Sequence, residues 1–288
     1  MELNRRNFLI NIAKISAVIC LAPTPLFSTS KEKTTADIFS DIISRSSKQR
    51  WFDMEMSDLV ARVANELINT PYMGGTLDRN ADEEKVIVDL TALDCVTFVE
   101  NSLCIARCIK KQHFRYMDLL DEVNFTRYRD GVLTDYTSRL HYTSEWILDN
   151  VRKNVVEDVT EKLEGEEHYF NLNFMSQNSD KYPALKKHKE YIDKIKEIEE
   201  EVSNQKFFVI KKNNINKIIS KIKDGDIIAV ATNMSGLDYS HLGLAFDKKM
   251  MHASSKHKKV FIDKKISEYV KANRQAIGIT VLRPKSIV

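Results

Sequence analysis

The stretch Thr91-Ala-Leu-Asp-Cys-Val-Thr-Phe-Val-Glu100 constrains this chain more than any other. A Thr-x-x-Asp capping signal precedes an apolar run through Phe98, Val99, Leu103 and Ala106, so the spacing predicts a helix from Thr91 to about Lys111. With Thr91 as the N-cap, Cys95 falls in the first turn. Free backbone N–H groups and the positive end of the helix dipole there favour thiolate over thiol. A thiolate at a helix start is a nucleophile that needs a base.

A candidate base lies far downstream. Ser240-His-Leu-Gly-Leu-Ala-Phe246 alternates like a short strand and carries His241, while Met250-Met-His-Ala-Ser-Ser255 carries His252. A tight connection through Asp247-Lys248 makes the two a hairpin. That loop sets His241 opposite Ser254 and Gly243 opposite His252. Both imidazoles then share one face as diagonal neighbours, about 7–8 Å apart at the backbone. Two imidazoles facing a thiolate supply a nucleophile, a base and an orienting group.

Thr70-Pro-Tyr-Met-Gly-Gly75, Leu93-Asp-Cys-Val-Thr-Phe-Val99, Ser240-His-Leu-Gly-Leu and Met251-His-Ala-Ser, in that order, resemble the NlpC-type superfamily of papain-like cell-wall hydrolases. Arg139-Leu-His-Tyr142 with Trp146, and Asp224-Gly-Asp-Ile-Ile, resemble its N-acetylmuramoyl-L-alanine amidase-like branch. The resemblance spans about Asn65 to Arg283. It implies Cys95 as nucleophile, with His241 and His252 as its partners. It also implies a cysteine-bearing helix packed on an antiparallel, barrel-like sheet, and Tyr72 reaching the active site beside the cysteine. The implied substrate is peptidoglycan or its muropeptide fragments, cut at the amide between N-acetylmuramic acid and L-alanine. The alternatives are a stem-peptide endopeptidase cutting between D-glutamate and the diamino acid, and a non-catalytic muropeptide-binding protein. No metal or organic cofactor is needed for such acyl transfer.

The order of elements agrees with an α+β fold. Helical spacing runs from Asp53 to Ile68, and again from Lys186 to Val202. Strands are expected at Phe207–Ile210, Ile227–Val230, Lys259–Asp263 and Gly278–Leu282, with short helices at Ile215–Ile222 and Ile266–Val270. Residues 31–48, rich in Ser, Thr and Lys, read as a linker or frayed start. Residues 113–205 form a largely helical insertion that minimal members of the superfamily do not need. It is dense in Arg, Tyr, His and Trp, which suits a substrate-binding wall or equally a packed surface. Arg139, His141, Tyr142 and Trp146 are its candidates for substrate contact. Asp94, beside the nucleophile, either caps backbone N–H groups or meets the substrate. His113, His168, His188 and His257 read as ordinary structural histidines.

The remaining constraints concern location. The first thirty residues look like an export signal, with Arg5 and Arg6 before an apolar run from Ile15 to Ala22 too short to span a bilayer. Asn4-Arg-Arg-Asn-Phe-Leu9 suits either a twin-arginine or an ordinary secretory signal. Bulky Ile19 before Cys20 fits a lipidation site poorly. An exported catalytic domain over residues 31–288, periplasmic or in the cell envelope, is therefore expected. The formal charge of +3 falls to +1 without the signal, with 41 basic and 40 acidic residues left, which argues against a nucleic-acid partner. Of the four cysteines, Cys95, Cys104 and Cys108 remain, an odd number that leaves a free thiol. Cys104 and Cys108, four apart on one helix, lie about 5–6 Å apart at Cβ, too far for the roughly 3.8 Å of a disulfide. They read as small buried apolar side chains, and a metal site with His113 is poorly spaced.

Overall fold

A computed structural model describes residues 32–78 and 83–287. The expected export signal and Cys20 lie outside the described residues. Lys33–Val288 form one compact unit.

The first described helix is α1 (Thr35–Lys48), where a linker or frayed start is expected from composition. Composition misleads here because Phe39, Ile42 and Ile43 share one buried face with Ser46, while Ser40, Ser44, Ser47 and Lys48 face water. Thr34 and Asp37 close a capping box at its start. A second helix, α2 (Met56–Glu66), follows a 3-10 turn at Trp51–Asp53, and α3 (Cys95–Lys111) runs through the core behind it. The N-cap of α3 is Asp94, not Thr91. Asp94 Oδ1 accepts the Thr97 backbone N–H at 2.8 Å, and Thr97 Oγ1 accepts the Asp94 N–H at 2.9 Å. Thr91 is committed instead to the Asp89 carboxylate. The helix therefore starts three residues later than the Thr-x-x-Asp signal indicates, and Cys95 becomes its first residue.

The middle segment continues with α4 (Tyr116–Arg127) and α5 (Thr143–Arg152), then β1 (Val156–Asp158) and β2 (Glu166–His168), then α6 (Phe174–Gln177), α7 (Pro183–Lys187) and α8 (Glu190–Ser203). It is thus not purely helical: β1 and β2 both join the sheet. The helix expected over 186–202 is split at His188, whose non-helical ψ of 86° ends the short α7 that Pro183 starts, and α8 begins at Glu190. The C-terminal part holds β3 (Phe207–Lys211), α9 (Ile215–Ile218), β4 (Ile227–Thr232), β5 (Tyr239–Phe246), β6 (Lys249–Ser254), β7 (Lys259–Lys265), α10 (Ile266–Ala272) and β8 (Ala276–Pro284).

The strands form one eight-stranded antiparallel sheet in the order β2-β3-β8-β4-β5-β6-β7, with β1 also on β8. The sheet is open: β2 and β7 end the path without pairing with each other, so the expected barrel-like closure does not form. Helix α3 packs across β5 and β6 with a core that includes Phe98, Leu103, Leu244, Met251 and Ala253. The other face is covered by α9 and α10 over Ile228, Val230, Ala245 and Val281.

Two glycines make this packing possible. Gly225, in Asp224-Gly-Asp, has φ +80°, and a Cβ there would lie 1.8 Å from Ser57 O. The flanking Asp226 is fully buried and takes a bidentate pair from Arg283 at 2.9 and 2.7 Å. At Gly243 a Cβ would lie 2.8 Å from Met251 O and 3.1 Å from His252 Cβ. The glycine of His-Leu-Gly thus lets β6, which carries His252, close against β5.

Candidate active site

The hairpin register is the one its loop dictates. Asp247 and Lys248 both adopt left-handed backbone (φ +48° and +62°), and Leu244↔Met251, Ala245↔Met250 and Phe246↔Lys249 pair across the turn. The two imidazoles meet. His241 Nε2 lies 2.7 Å from His252 Nδ1, with the rings nearly perpendicular. His252 is buried, and the rings of Phe261 and Tyr269 pack on it at 5.2 and 5.0 Å.

Cys95 and His241 line one cavity of about 220 Å³. Cys95 keeps part of its surface open, and Val96 beside it is 37% exposed. Burial nevertheless raises the Cys95 thiol to about 11. The Asp94 carboxylate adds to that rise, and backbone N–H groups of Leu242, Cys95 and Val96 only partly offset it. The dipole argument for a resting thiolate therefore fails here. Desolvation outweighs the helix start, and the capping residue that builds that start is itself an anion. Burial likewise lowers His241 to about 3, with repulsion from His252 second. The resting pair is neutral thiol and neutral imidazole.

Tyr72 lies within electrostatic range of the Cys95 thiol. Its backbone bridges Leu93, and its phenol is raised by burial and by Cys95 and Asp94. Asp94 is the helix cap described above. The middle segment supplies the opposite wall of the cavity through Tyr136, Arg139, His141, Tyr142, Met175 and Tyr182. Its expected substrate contacts are largely engaged within the protein. Arg139 Nη1 donates to Asp78 Oδ1 at 2.8 Å, while Nε and Nη2 grip Glu84 at 2.8 and 2.6 Å. His141 lies against Tyr136, ring on ring at 4.3 Å, with Nε2 at 2.8 Å from the Tyr136 carbonyl. Burial holds it neutral, lowered to about 3. Tyr142 donates to the buried Glu199 at 2.7 Å. Trp146 does not line this cavity. It lies deeper, along a small apolar pocket shared with Val99, Leu140 and Leu242, and its buried indole N–H has no partner among the described residues.

A protein with this constellation can be placed by comparison. The sequence pattern of the family described as AmiA-like, N-acetylmuramoyl-L-alanine amidase-like, matches residues 62–279. The chain belongs to that family. An N-acetylmuramoyl-L-alanine amidase from Bacteroides uniformis superposes with a TM-score of 0.76 at 32% identity, covering 80% of this chain and 99% of that one. A candidate xylanase from Bacteroides fragilis superposes with a TM-score of 0.73 at 36% identity, covering 77% and 99%. A Legionella pneumophila protein shares the fold at 20% identity, with a TM-score of 0.63 over 86% and 95% of the two chains. No functionally curated protein matches.

In this amidase-like chain several cavity residues escape a reading by motif. Asp78 reaches the rim through Arg139, and Asp238 caps α5 from the start of β5, accepting the Ser144 N–H and Oγ–H at 2.7 Å each. Asp263 and Tyr269 flank His252 from β7 and α10. Strand parity offers the one usable signal. Phe261 pairs with His252, and Asp263, two residues on, shares its face. His168, His188 and His257 lie against Phe170, Tyr191 and Phe261. Cys104 and Cys108 are buried free thiols, and Cys104 contacts Thr126 Oγ1 at 3.2 Å. Among the described residues no group of three metal-ligating side chains occurs, and no helix is long and apolar enough to cross a membrane.

Proposed function

We propose that this chain is a cysteine-dependent amidase of the NlpC type that hydrolyses the bond between N-acetylmuramic acid and L-alanine in muropeptides. The observation that carries the reading is Cys95 at the first position of α3 opening onto the cavity of His241, which is itself hydrogen-bonded to His252.

Because both partners rest neutral, attack and proton transfer coincide. His241 takes the Cys95 proton as sulfur bonds to the amide carbonyl, acting as a general base rather than as half of a standing ion pair. The uncapped N–H groups at the start of α3 stabilise the resulting oxyanion. His241 then donates that proton to the leaving L-alanine nitrogen as the C–N bond breaks. Water, activated by the same imidazole, hydrolyses the thioester and restores the thiol. Among the described residues, the carboxylates lining this cavity are engaged within the protein, Asp78 with Arg139 and Asp238 with backbone and Ser144, rather than free as a glycosidase's acid and base would be.

The choice of bond rests on the wall. Tyr136, Arg139, His141, Tyr142, Met175 and Tyr182 add a second side to the cavity, and we assign that side to a sugar ring on the acyl side of Cys95. A narrow stem peptide requires no such wall. Binding energy from the ring is then needed to position the carbonyl. A matched pair of substrates, muramyl-peptide and the same peptide without sugar, tests this by chromatography with mass detection. The expected result is release of intact stem peptide with a free L-alanine amine from the first and no reaction with the second. Cleavage of the sugar-free peptide after D-glutamate overturns the reading in favour of an endopeptidase.

A further inference from the structure

His252 has one nitrogen that the hairpin leaves unanswered. Its Nδ1 meets His241 Nε2 at 2.7 Å, but its buried Nε2 has no partner within ordinary hydrogen-bond geometry among the described residues. The Asp263 carboxylate faces it, with Oδ2 at 3.5 Å. The other oxygen of Asp263 accepts the Lys264 backbone N–H at 2.7 Å, which holds the carboxylate in place on β7. With His252 only 2% exposed and Phe261 and Tyr269 packed on its ring, little water screens this contact.

A neutral imidazole has one donor and one acceptor, and an ionised carboxylate only accepts. Of the two tautomers of His252, only the one with its proton on Nε2 suits Asp263. In that form Nδ1 is an acceptor, so His241 must donate from Nε2. The lone pair of His241 is then on Nδ1. The opposite tautomer sets a lone pair against the carboxylate and leaves His241 Nδ1 protonated, unable to take a proton there.

We propose that Asp263 is a positioning residue: through His252 it sets the tautomer of His241, so that Nδ1 is the atom that receives the Cys95 proton. The inference rests on the reading of Cys95 and His241 as nucleophile and base. It also gives the contact a reason to be long at rest. When His241 takes a proton, positive charge spreads onto the imidazole pair, and the bond to Asp263 tightens at that moment. Asp263 raises the His252 pKa against the larger effect of burial, in the direction such support requires, while His257 opposes it.

The test reads tautomers directly. Ring 15N shifts of the wild-type protein at neutral pH should show the proton on Nε2 in both His241 and His252. Asp263→Asn presents an amide N–H that can donate to His252 Nε2, which favours the opposite tautomer. It should lower kcat by roughly 10- to 100-fold, a part of what general base catalysis supplies, with KM little changed. The acidic limb of the kcat profile should move to lower pH, because the imidazolium loses its supporting anion. The other titratable groups around the pair, Cys95, Asp94, Tyr72, His257 and Tyr269, are untouched by the substitution. Asp263→Glu should recover part of the loss. A wild-type His252 protonated on Nδ1 overturns the proposal, as does an Asp263→Asn variant whose tautomers do not move, whatever its rate. The shifts need no turnover. If Cys95 were not the nucleophile, Cys95→Ala would stay active while the tautomers remained as described, so the two failures are separable.

Discussion

Strand β5 of the histidine hairpin and the wall of Tyr136, Arg139, His141 and Tyr142 line the same cavity, yet they hold their charged and hydroxyl groups differently. On the hairpin, the His241 imidazole has one hydrogen bond among the described residues, with His252, lies 5.8 Å from the Tyr269 ring and lines the cavity. On the wall, Arg139 is clamped by Asp78 and Glu84 and Tyr142 by Glu199, whereas His141, like His241, has a single hydrogen bond among the described residues, to the Tyr136 carbonyl. On the proposed mechanism the reacting groups keep a nitrogen or sulfur uncommitted, whereas Arg139 and Tyr142, which shape the surface, are held by partners of their own. Arg139 is the clearest case. It ties the segment before the cysteine helix to the wall, and Tyr128 joins by donating to Glu84 at 2.7 Å.

Substitutions can break that contrast. The largest effect is expected on the hairpin side. Cys95→Ala should lower kcat by at least about 10³-fold with the thermal midpoint nearly unchanged, and His241→Ala should cost about as much because members of a catalytic unit are non-additive. His252→Gln should cost less. A Cys95→Ala variant that turns over would remove the mechanism, and a dead His252 variant beside an active His241 variant would reverse their roles.

The wall should respond in stability first. Arg139→Ala leaves Glu84, whose side chain is 4% exposed, without its cation, at a cost of about 3–5 kcal/mol in urea unfolding. Normal stability with a raised KM would instead make Arg139 a substrate contact, and the contrast would dissolve.

A smaller effect spans both regions. His141 and His241 are lowered to about 3 from an ordinary 6.5, so the unfolded chain binds protons that the folded one refuses. Their contribution is complete above about pH 6.5 and is lost as pH falls toward 3. The slope is at most about 1.4 kcal/mol per pH unit for each histidine. His141→Gln should flatten the dependence of unfolding free energy on pH in that window, and an unchanged slope would refute the burial argument. The least effect is expected from Cys104→Ala, which should lose about 1 kcal/mol of packing and keep its kcat. Iodoacetamide should modify neither buried thiol before Cys95.

Much of the site is legible because its geometry is local. The turn at Asp247-Lys248 fixes which residues face each other across the hairpin, and the apolar period after Cys95 fixes the helix. The reading goes astray where two local signals compete or where composition hides a pattern. Thr91 and Asp94 are both good caps, and only the reciprocal bonds with Thr97 select Asp94. The serines and lysines of residues 31–48 conceal a buried stripe of Phe39, Ile42 and Ile43.

The sequence by itself determined that a cysteine would fall in the first turn of a helix and that two histidines would share a strand face, since each follows from residues a few positions apart. Tertiary structure alone decided whether those groups would be charged. Burial of Cys95 under β5, with Asp94 at the same helix end, makes the thiol neutral, and no spacing rule contains that desolvation. It also decided that the sheet stays open, that Arg139 would meet acids 61 and 55 residues away, and that Asp263 would come to face His252. Distant partners of this kind are chosen by how whole elements pack, and only the folded chain brings their charges within range of one another.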